Sequence, residues 1–308
     1  MRKAVVDVGS NSVLLLVEEQ TEGGWQTVLE TTHVTSLGKG VRETRLLSDE
    51  GMAKTLAALK ECFDDAHRLG ATEVLAAATM AARIASNTAV FREKAASQET
   101  PVEVLSGDDE AQLGFESVAD DPFFYDQNRI SIVDVGGQST ELVTADRSAG
   151  RWDVLFRRSY PIGTLGLKGG VLHEECPGPS EILSATVEID DCIGLCYRRG
   201  QCGHAVALGA TGTNLVSIRE RLAEWYPEKV HGAWLDFGEI SRESGRLMKM
   251  PEAERRKIVG MEPGREATLP AGALILERFL NSIGAPGCSV SVRGWRHALL
   301  EKGLPKDR

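Results

Sequence analysis

The sequence of 308 residues has no long apolar run and few cysteines. No stretch approaches the roughly 20 apolar residues of a membrane-spanning helix. The basic N-terminus is followed at once by Asp7, so it does not have the pattern of a signal peptide. Six cysteines are too few for a disulfide scaffold at this length and are typical of a reducing compartment. We therefore expect a cytoplasmic protein.

An excess of positive charge is also missing. Lys and Arg total 35 and Asp and Glu total 45, so the formal net charge is 35 − 45 = −10. Nucleic acids and anionic membranes require a broad basic face, and we predict neither as a partner. Hydrophobic residues make up 42% and charged residues 26%, which is ordinary for a globular protein. The length favours two domains.

The sequence has one cluster of potential soft metal ligands. It consists of Cys192, Cys196, Cys202 and His204. Structural zinc sites place paired thiolates closer in sequence, typically two residues apart. The spacing instead favours a helix that buries Cys192 and Cys196 one turn apart.

Hydrophobic patterning predicts an α/β protein in which strands and helices alternate. Short apolar runs separated by small-residue turns predict hairpins at residues 3–18 and 130–144. Ser48 is placed to cap a helix, and apolar residues follow it at helical spacing: Met52, Leu56, Leu59, Phe63 and Ala66. The charged segment 220–266 is predicted to form helices and loops.

The two predicted hairpins have related sequences. Residues 6–15 align with residues 133–142 at an offset of 134 − 7 = 127, with Val, Asp, Val, Gly, Ser and Leu identical. Chance agreement between two glycine-containing hairpins is the alternative. Because the match includes an Asp at the end of a strand, the next Gly and a Ser, it favours an internal duplication.

Each copy of the repeat carries groups suited to phosphate. An Asp in a buried strand is costly unless it is paired, hydrogen-bonded or near a metal. Small residues after it let backbone N–H groups converge on an anion, and hydroxyl groups add donors. Alternatively, the Asp residues serve only to shape the turns that follow them. The duplication favours two phosphate-binding turns with a divalent cation beside a carboxylate.

These residues resemble the motifs of a known family. The segments are Asp7–Ser12, Thr79–Arg83 with Asn87, Ser106–Ala111, Asp134–Glu141, Gly209–Thr213 and Ser291–Arg296. In this order and spacing they are similar to the exopolyphosphatase / guanosine pentaphosphate phosphatase family, within the superfamily of actin, sugar kinases and Hsp70-type ATPases. The resemblance runs from Val6 to about Leu300. Long members carry a further helical region that has no counterpart in this sequence.

The resemblance implies two ribonuclease-H-like domains, as in actin-like ATPases, with an active-site cleft between them. We expect the N-terminal domain, with the first phosphate loop, at residues 1–120. The C-terminal domain, with the second and third phosphate loops, is expected at residues 121–308. The activity implied is Mg²⁺-dependent release of terminal phosphate from inorganic polyphosphate. By the resemblance alone, a homodimer is an open alternative to a monomer.

The resemblance also assigns roles to individual residues. Glu110 matches the position that activates the attacking water. Asp134 and Glu141 match the metal-binding acids, and Asp7 is placed with them by the repeat. The phosphate-binding set is Ser10, Asn11, Ser12, Arg83, Gly136, Gly137, Gln138, Ser139, Gly209, Thr211 and Gly212.

Other interpretations remain open at this stage. Glu110 lies in an acidic helix start, which the helix dipole favours without any catalysis, and Asp109 is its close neighbour. Arg83 could pair with a surface acid, and Glu141 could lie on an exposed strand face. Leu14, Gln138, Ala267 and Val292 depart from the family pattern, which weakens any transfer of substrate preference. The alternatives are a guanosine pentaphosphate 5′-phosphatase and a catalytically weak sensor that binds polyphosphate or nucleotides.

Overall fold

The computed structural model describes residues 1–194 and 202–304. They form two compact units, one of residues 1–113 with the segment from Trp295 onward, and the other of residues 114–294. The boundary expected near residue 120 thus falls at Leu113, within a helix. The segment from Trp295, expected in the second domain, packs in the first unit. None of the described helices is long and apolar enough to cross a membrane.

The described part of the first unit is built on a five-stranded sheet of order β3-β2-β1-β4-β5. Its strands are β1 (Arg2–Val8), β2 (Ser12–Thr21), β3 (Gly24–Val34), β4 (Glu73–Ala78) and β5 (Glu103–Val104). Strands β1 to β3 form an antiparallel meander, and β4 and β5 run parallel to β1. The predicted first hairpin is therefore confirmed.

Helices cover both faces of this sheet. They are α1 (Val41–Thr44), α2 (Asp49–Arg68), α3 (Met80–Ile84), α4 (Thr88–Ser97), α5 (Gly107–Ala119, which continues into the second unit) and the C-terminal α13 (Trp295–Lys302). The Ser48 hydroxyl accepts a hydrogen bond from the Gly51 amide, as predicted for the cap of α2. Met52, Leu59, Phe63 and Ala66 are buried in the core. Helix α13 packs with β1 on the other side.

The second unit has a six-stranded sheet of order β10-β11-β9-β6-β7-β8 among its described residues. Its strands are β6 (Arg129–Val135), β7 (Thr140–Ser148), β8 (Arg151–Tyr160), β9 (His204–Leu208), β10 (Trp234–Asp236) and β11 (Gly287–Val290). Strands β6 to β8 form an antiparallel meander, and β9 runs parallel to β6. This is the topology of the first sheet, which is what a duplication predicts. The extra strand β10 corrects the expectation of only helices and loops at 220–266.

The helices of the second unit are α6 (Thr164–Gly169), α7 (Pro179–Ile193), α8 (Ala210–Arg219), α9 (Pro227–Val230), α10 (Phe237–Met248), α11 (Glu252–Arg255) and α12 (Leu269–Ile283), with a 3₁₀ turn at Pro122–Phe124. The largest core lies on one sheet face, where α12 and α7 pack against Val133, Leu142 and Tyr160. Cys192 is half-buried in α7, and Cys196 lies outside the described residues. Among the described residues, no group of three or more His, Cys, Asp or Glu side chains forms a metal cluster.

Candidate active site

The first phosphate loop joins β1 to β2 and has a tightly held backbone. The Gly9 amide donates to the Ser12 carbonyl at 2.9 Å. The Ser10 carbonyl accepts from the Gly38 amide at 2.7 Å, and the Asn11 carbonyl accepts from the amides of two residues after β3. Within the described chain, the amides of Ser10 and Asn11 donate to no other group. Carbonyls held on one side leave these amides available to an anion on the other.

The second phosphate loop repeats this arrangement in the second unit. The Gly136 amide donates to the Ser139 carbonyl at 2.9 Å, as Gly9 does to Ser12. Amides at the start of α6 bond the loop carbonyls, with Thr164 donating to Gly136 at 3.1 Å and Leu165 to Gly137 at 2.8 Å. Among the bonds of the described residues, the Gly137 amide donates none. The equivalence of the two turns, inferred from sequence, is therefore visible in their hydrogen bonds.

Two acids of the second unit share one face of its sheet. Asp134 in β6 stands directly opposite Glu141 in β7, and Glu141 stands opposite Ser159 in β8. Cross-strand neighbours project to the same face. The Ser159 hydroxyl donates to Glu141 Oε1 at 2.6 Å, and Glu141 is only 3% exposed. The alternative of an exposed strand position for Glu141 is therefore excluded.

This pair of carboxylates suits a hard cation. Mg²⁺ in phosphate-handling sites is commonly bound by one or two carboxylates, with substrate phosphates and waters completing the shell. Asp134 and Glu141 supply such a set, and Ser159 fixes one oxygen of Glu141. In the first unit Leu14 stands opposite Asp7 in the equivalent register. The two-carboxylate arrangement is therefore specific to the second copy of the repeat.

Glu110 and Arg83 form a buried ion pair in the first unit. Arg83 Nη1 donates to Glu110 Oε2 at 2.8 Å and to the Leu105 carbonyl at 2.9 Å. The side chains are only 16% and 10% exposed. Burial raises the pKa of the Glu110 carboxyl above its ordinary value, while the charge and hydrogen bond of Arg83 act in the opposite direction. Glu110 is therefore a desolvated carboxyl group and not part of a solvated helix start.

Sheet topology places these groups beside the first phosphate loop. Val8, Ala78 and Val104 lie side by side at the ends of the parallel strands β1, β4 and β5. The first loop follows β1, the helix that carries Arg83 follows β4, and the helix that carries Glu110 follows β5. In open α/β sheets, ligands bind at this carboxyl edge of the strands.

Asp109 has a structural role that separates it from Glu110. Its backbone amide donates to the Ser106 hydroxyl at 3.0 Å, and its carboxylate accepts from the Ser106 amide at 3.3 Å. This reciprocal pair is a capping box at the start of α5. Asn87 is also structural, because its side-chain amide bonds both backbone groups of Leu47. Of the two neighbouring acids, Glu110 therefore remains the candidate for the general base.

In the third glycine-rich turn, predicted to bind phosphate, Gly209 lies beside Asp134, whereas Thr211 and Gly212 pack against other elements. A Cβ atom on Gly209, whose φ is +80°, would lie 2.9 Å from Asp134 Oδ1, so this turn touches the acid pair. Gly212 instead packs between β9 and β11, where a Cβ would lie 3.3 Å from Ala207 and Val290. Thr211 is buried against Gly272 of α12. Gln138, which departs from the family pattern, is only 3% exposed.

The sequence pattern did not reveal two glycines that support these loops and one serine that bonds Glu141. Gly38 presses against the first loop, and a Cβ there would lie 2.8 Å from the Ser10 Cβ. Gly163 presses against the second loop, where a Cβ would lie 2.5 Å from the Gln138 amide nitrogen. Ser159 holds Glu141. The sequence signal available for them was weak, since isolated glycines and serines are common in turns.

Comparison with known proteins gives consistent matches along the chain. A family model described as the Ppx/GppA phosphatase family matches residues 16–307. A curated relative, exopolyphosphatase 2 of Mycobacterium tuberculosis (strain CDC 1551 / Oshkosh), is 27% identical over 301 residues, covering 92% of this chain and 91% of the relative.

Solved structures agree with the fold. A crystal structure of the Aquifex aeolicus member of the Ppx/GppA protein family is 28% identical, with a TM-score of 0.79, covering 97% of this chain and 96% of that one. An exopolyphosphatase-like protein at 24% identity gives a TM-score of 0.88, covering 98% and 99% of the two chains. The predicted α/β fold with two actin-like domains is confirmed.

Proposed function

The chain belongs to the Ppx/GppA phosphatase family, and from this premise we propose that it is a Mg²⁺-dependent exopolyphosphatase. The predicted enzyme class, a phosphoanhydride hydrolase, is confirmed at the level of the family. The substrate, the metal and the residue roles are the proposal. The observation that carries it is the buried Arg83–Glu110 pair at the sheet edge that also bears the first phosphate loop.

Phosphate oxygens are bound by backbone amides and hydroxyls in this proposal. The amides of Ser10, Asn11 and Gly137 have no competing partner among the described residues. Amide dipoles fixed in place before substrate arrives stabilise developing negative charge without reorganisation. The equivalent closing bonds, Gly9 to Ser12 and Gly136 to Ser139, support the same task in both loops.

Asp134 and Glu141 would hold Mg²⁺ through carboxylate oxygens. When bound, the cation offsets the negative charge on the transferring phosphoryl group. Ser159 keeps Glu141 in one orientation by donating to Oε1. The turn at Gly209 leaves no room for a side chain beside Asp134. These contacts hold the two acids in place before substrate binds.

Glu110 orients the attacking water and accepts its proton in this proposal. A carboxylate with a raised pKa is a stronger base than a solvated one, and burial supplies that rise. Arg83 opposes this rise through its charge and its hydrogen bond to Glu110. Arg83 was expected to bind phosphate. In this proposal it also serves as the ion-pair partner of the general base.

The test is release of orthophosphate from short-chain polyphosphate, with and without Mg²⁺. We expect release only with the metal and a rate at least about 10²-fold lower for Glu110→Gln, the usual contribution of a general base. Asp109→Asn is the matched control, because it removes a neighbouring charge that serves the helix cap. An undiminished rate in Glu110→Gln, with normal folding, would contradict the mechanism.

The same assay separates the alternatives. Guanosine pentaphosphate as a parallel substrate distinguishes a 5′-phosphatase from an exopolyphosphatase by the ratio of kcat/KM values. Binding of polyphosphate to the Mg²⁺-loaded protein without turnover would indicate a sensor. The proposed place of action is the cytoplasm. Its support is the small number of cysteines and the free thiols of Cys62, Cys176, Cys202 and Cys288 among the described residues.

A further inference from the structure

A short basic segment adjoins the first phosphate loop. Residues 39–45 contain Lys39, Arg42 and Arg45 against a single acid, Glu43, so the segment carries 3 − 1 = +2 in a chain of net charge −10. Lys39 and Arg45 are exposed and Arg42 is half-buried. None of these three cations takes part in the mechanism proposed above.

The segment begins in direct contact with the phosphate loop. The Gly38 amide donates to the Ser10 carbonyl at 2.7 Å. A Cβ on Gly38 would meet the Cβ atoms of Ser10 at 2.8 Å and Ala81 at 3.2 Å, so only glycine permits this approach. Lys39 is the next residue, and consecutive Cα atoms are about 3.8 Å apart. Its side chain therefore starts one residue beyond the glycine that contacts the anion-binding turn.

The backbone of the segment is fixed. Gly40 and Arg45, with φ of 71° and 58°, bracket the single turn of α1. The Arg45 carbonyl accepts from the Ser86 amide at 2.8 Å and from the Ser86 hydroxyl at 3.0 Å, and Val41 is fully buried. An arginine in the left-handed region is uncommon and persists where the surroundings enforce it. The three cationic side chains are thus attached to a backbone with a fixed conformation.

Two of the three cations are not engaged by acids. Among the described residues, the side chains of Lys39 and Arg45 make no hydrogen bond or ion pair. Lys39 affects Glu50 only through space, and Glu50 is bonded to Lys54 at 2.7 Å. Their charges remain available to an external anion.

We propose that Lys39, Arg42 and Arg45 form a subsite for the phosphoryl groups of polyphosphate beyond those held at the catalytic centre. This inference rests on the proposed function. A linear polyanion bound at the Ser10–Asn11 turn needs cations along its continuation, and the segment that starts beside that turn at Gly38 supplies three. Arginine suits this task because its guanidinium fork matches phosphate oxygens. The subsite would supply the local positive charge that an acidic protein needs to bind a long polyanion.

The experiment compares two triple variants on two substrates. Lys39→Gln/Arg42→Gln/Arg45→Gln removes the segment's cations, and Lys60→Gln/Arg68→Gln/Lys94→Gln removes three exposed cations of α2 and α4. The readout is KM for long-chain polyphosphate divided by KM for tripolyphosphate. If each of the three contacts is worth about twofold, the first variant should raise this ratio about eightfold. The control should leave it at the wild-type value.

Two further measurements keep the result interpretable. Arg45→Gly retains the backbone conformation, which glycine adopts readily, and should raise the ratio about twofold without loss of folding. The dependence of log KM on log salt concentration should fall by ~0.7 for each contact removed, by analogy with single-stranded nucleic acids. Equal ratios for the two triple variants would overturn the subsite while the proposed function stands. No phosphate release from either substrate by the wild type would overturn the function itself.

Discussion

At the scale of single residues, the environment of the Glu110 carboxyl is set by two opposing influences. Burial disfavours the charged form and raises its pKa, while the Arg83 guanidinium at 2.8 Å favours the charged form. Burial is the larger influence, so the pKa lies above the ordinary value of 4.5. A general base must be ionised, and activity should therefore fall as pH drops through this raised pKa.

Arg83→Gln should move this acid limb to higher pH. The substitution removes the charge and the side-chain hydrogen bond that lower the pKa of Glu110, while burial stays in place. The measurement is the pH profile of kcat/KM for short polyphosphate, which reports the free enzyme. Arg92→Gln is the control, since Arg92 pairs with Glu103 at 3.6 Å and does not contact Glu110. A profile identical to that of the wild type would show that Arg83 does not tune the base.

At the scale of elements, the phosphate loops depend on what packs behind them. The second loop rests on the start of α6, whose amides bond its carbonyls. Gly163 precedes that helix in an extended conformation that any residue adopts, so its requirement is for space. A Cβ there would lie 2.5 Å from backbone atoms of Gly137 and Gln138. Backbone atoms cannot turn aside as the end of a flexible side chain can.

Gly163→Ala should therefore displace the second loop. We expect a loss of about 1–3 kcal/mol in the free energy of unfolding, typical of overpacking, together with a raised KM for polyphosphate. Gly169→Ala in the same helix is the control. Nothing lies within 4 Å of a Cβ at that position, and alanine in a helix should stabilise by up to about 1 kcal/mol. Chemical denaturation and steady-state kinetics on both variants give the two readouts.

At the scale of the whole molecule, the first unit is not a continuous stretch of sequence. The C-terminal α13 buries Trp295, Leu299 and Leu300 with Val5 of β1 and Leu16 of β2. This core can close only after Trp295–Lys302 has been synthesised. A fragment limited to residues 1–120 would lack that helix and expose one face of its sheet.

Leu299→Ala should destabilise the first unit although it lies far from β1 in sequence. Leu299 is fully buried, and such truncations cost about 2–5 kcal/mol because they leave a cavity. Val90→Ala, at a side chain 44% exposed, should cost less than about 0.5 kcal/mol. Denaturant unfolding of both variants measures the difference. Equal stability of the two would contradict the packing of α13 in this core.

The net charge of −10 makes a prediction about the ionic environment. A long polyphosphate chain is repelled by the acidic surface more than a short one, and divalent cations neutralise both partners. Raising free Mg²⁺ at constant ionic strength should therefore lower KM for long chains more than for tripolyphosphate. Replacing the added Mg²⁺ by an equal ionic strength of NaCl is the control. If the ratio of the two KM values stays constant as Mg²⁺ is raised, general repulsion does not limit the binding of long substrates.

The sequence by itself determined the repeated strand–turn–strand units, the cap of α2 and the α/β class. Each of these is a local pattern, in which residues close in sequence fix their own conformation through periodicity, turn chemistry and hydrogen bonds. The equivalence of Asp7 and Asp134 belongs here, because both end the first strand of a hairpin. The motif order was enough to indicate the family and to single out Glu110.

Only the tertiary structure decided which side chains meet. Arg83 pairs with Glu110 across 27 residues, and Ser159 holds Glu141 across 18. These contacts depend on strand order and register, which no local pattern encodes. Packing also showed that Gly163 needs space behind the second loop and that α13 belongs to the core of the first unit. Long-range contacts are selected by the burial of the whole core, so they appear only when the fold is complete.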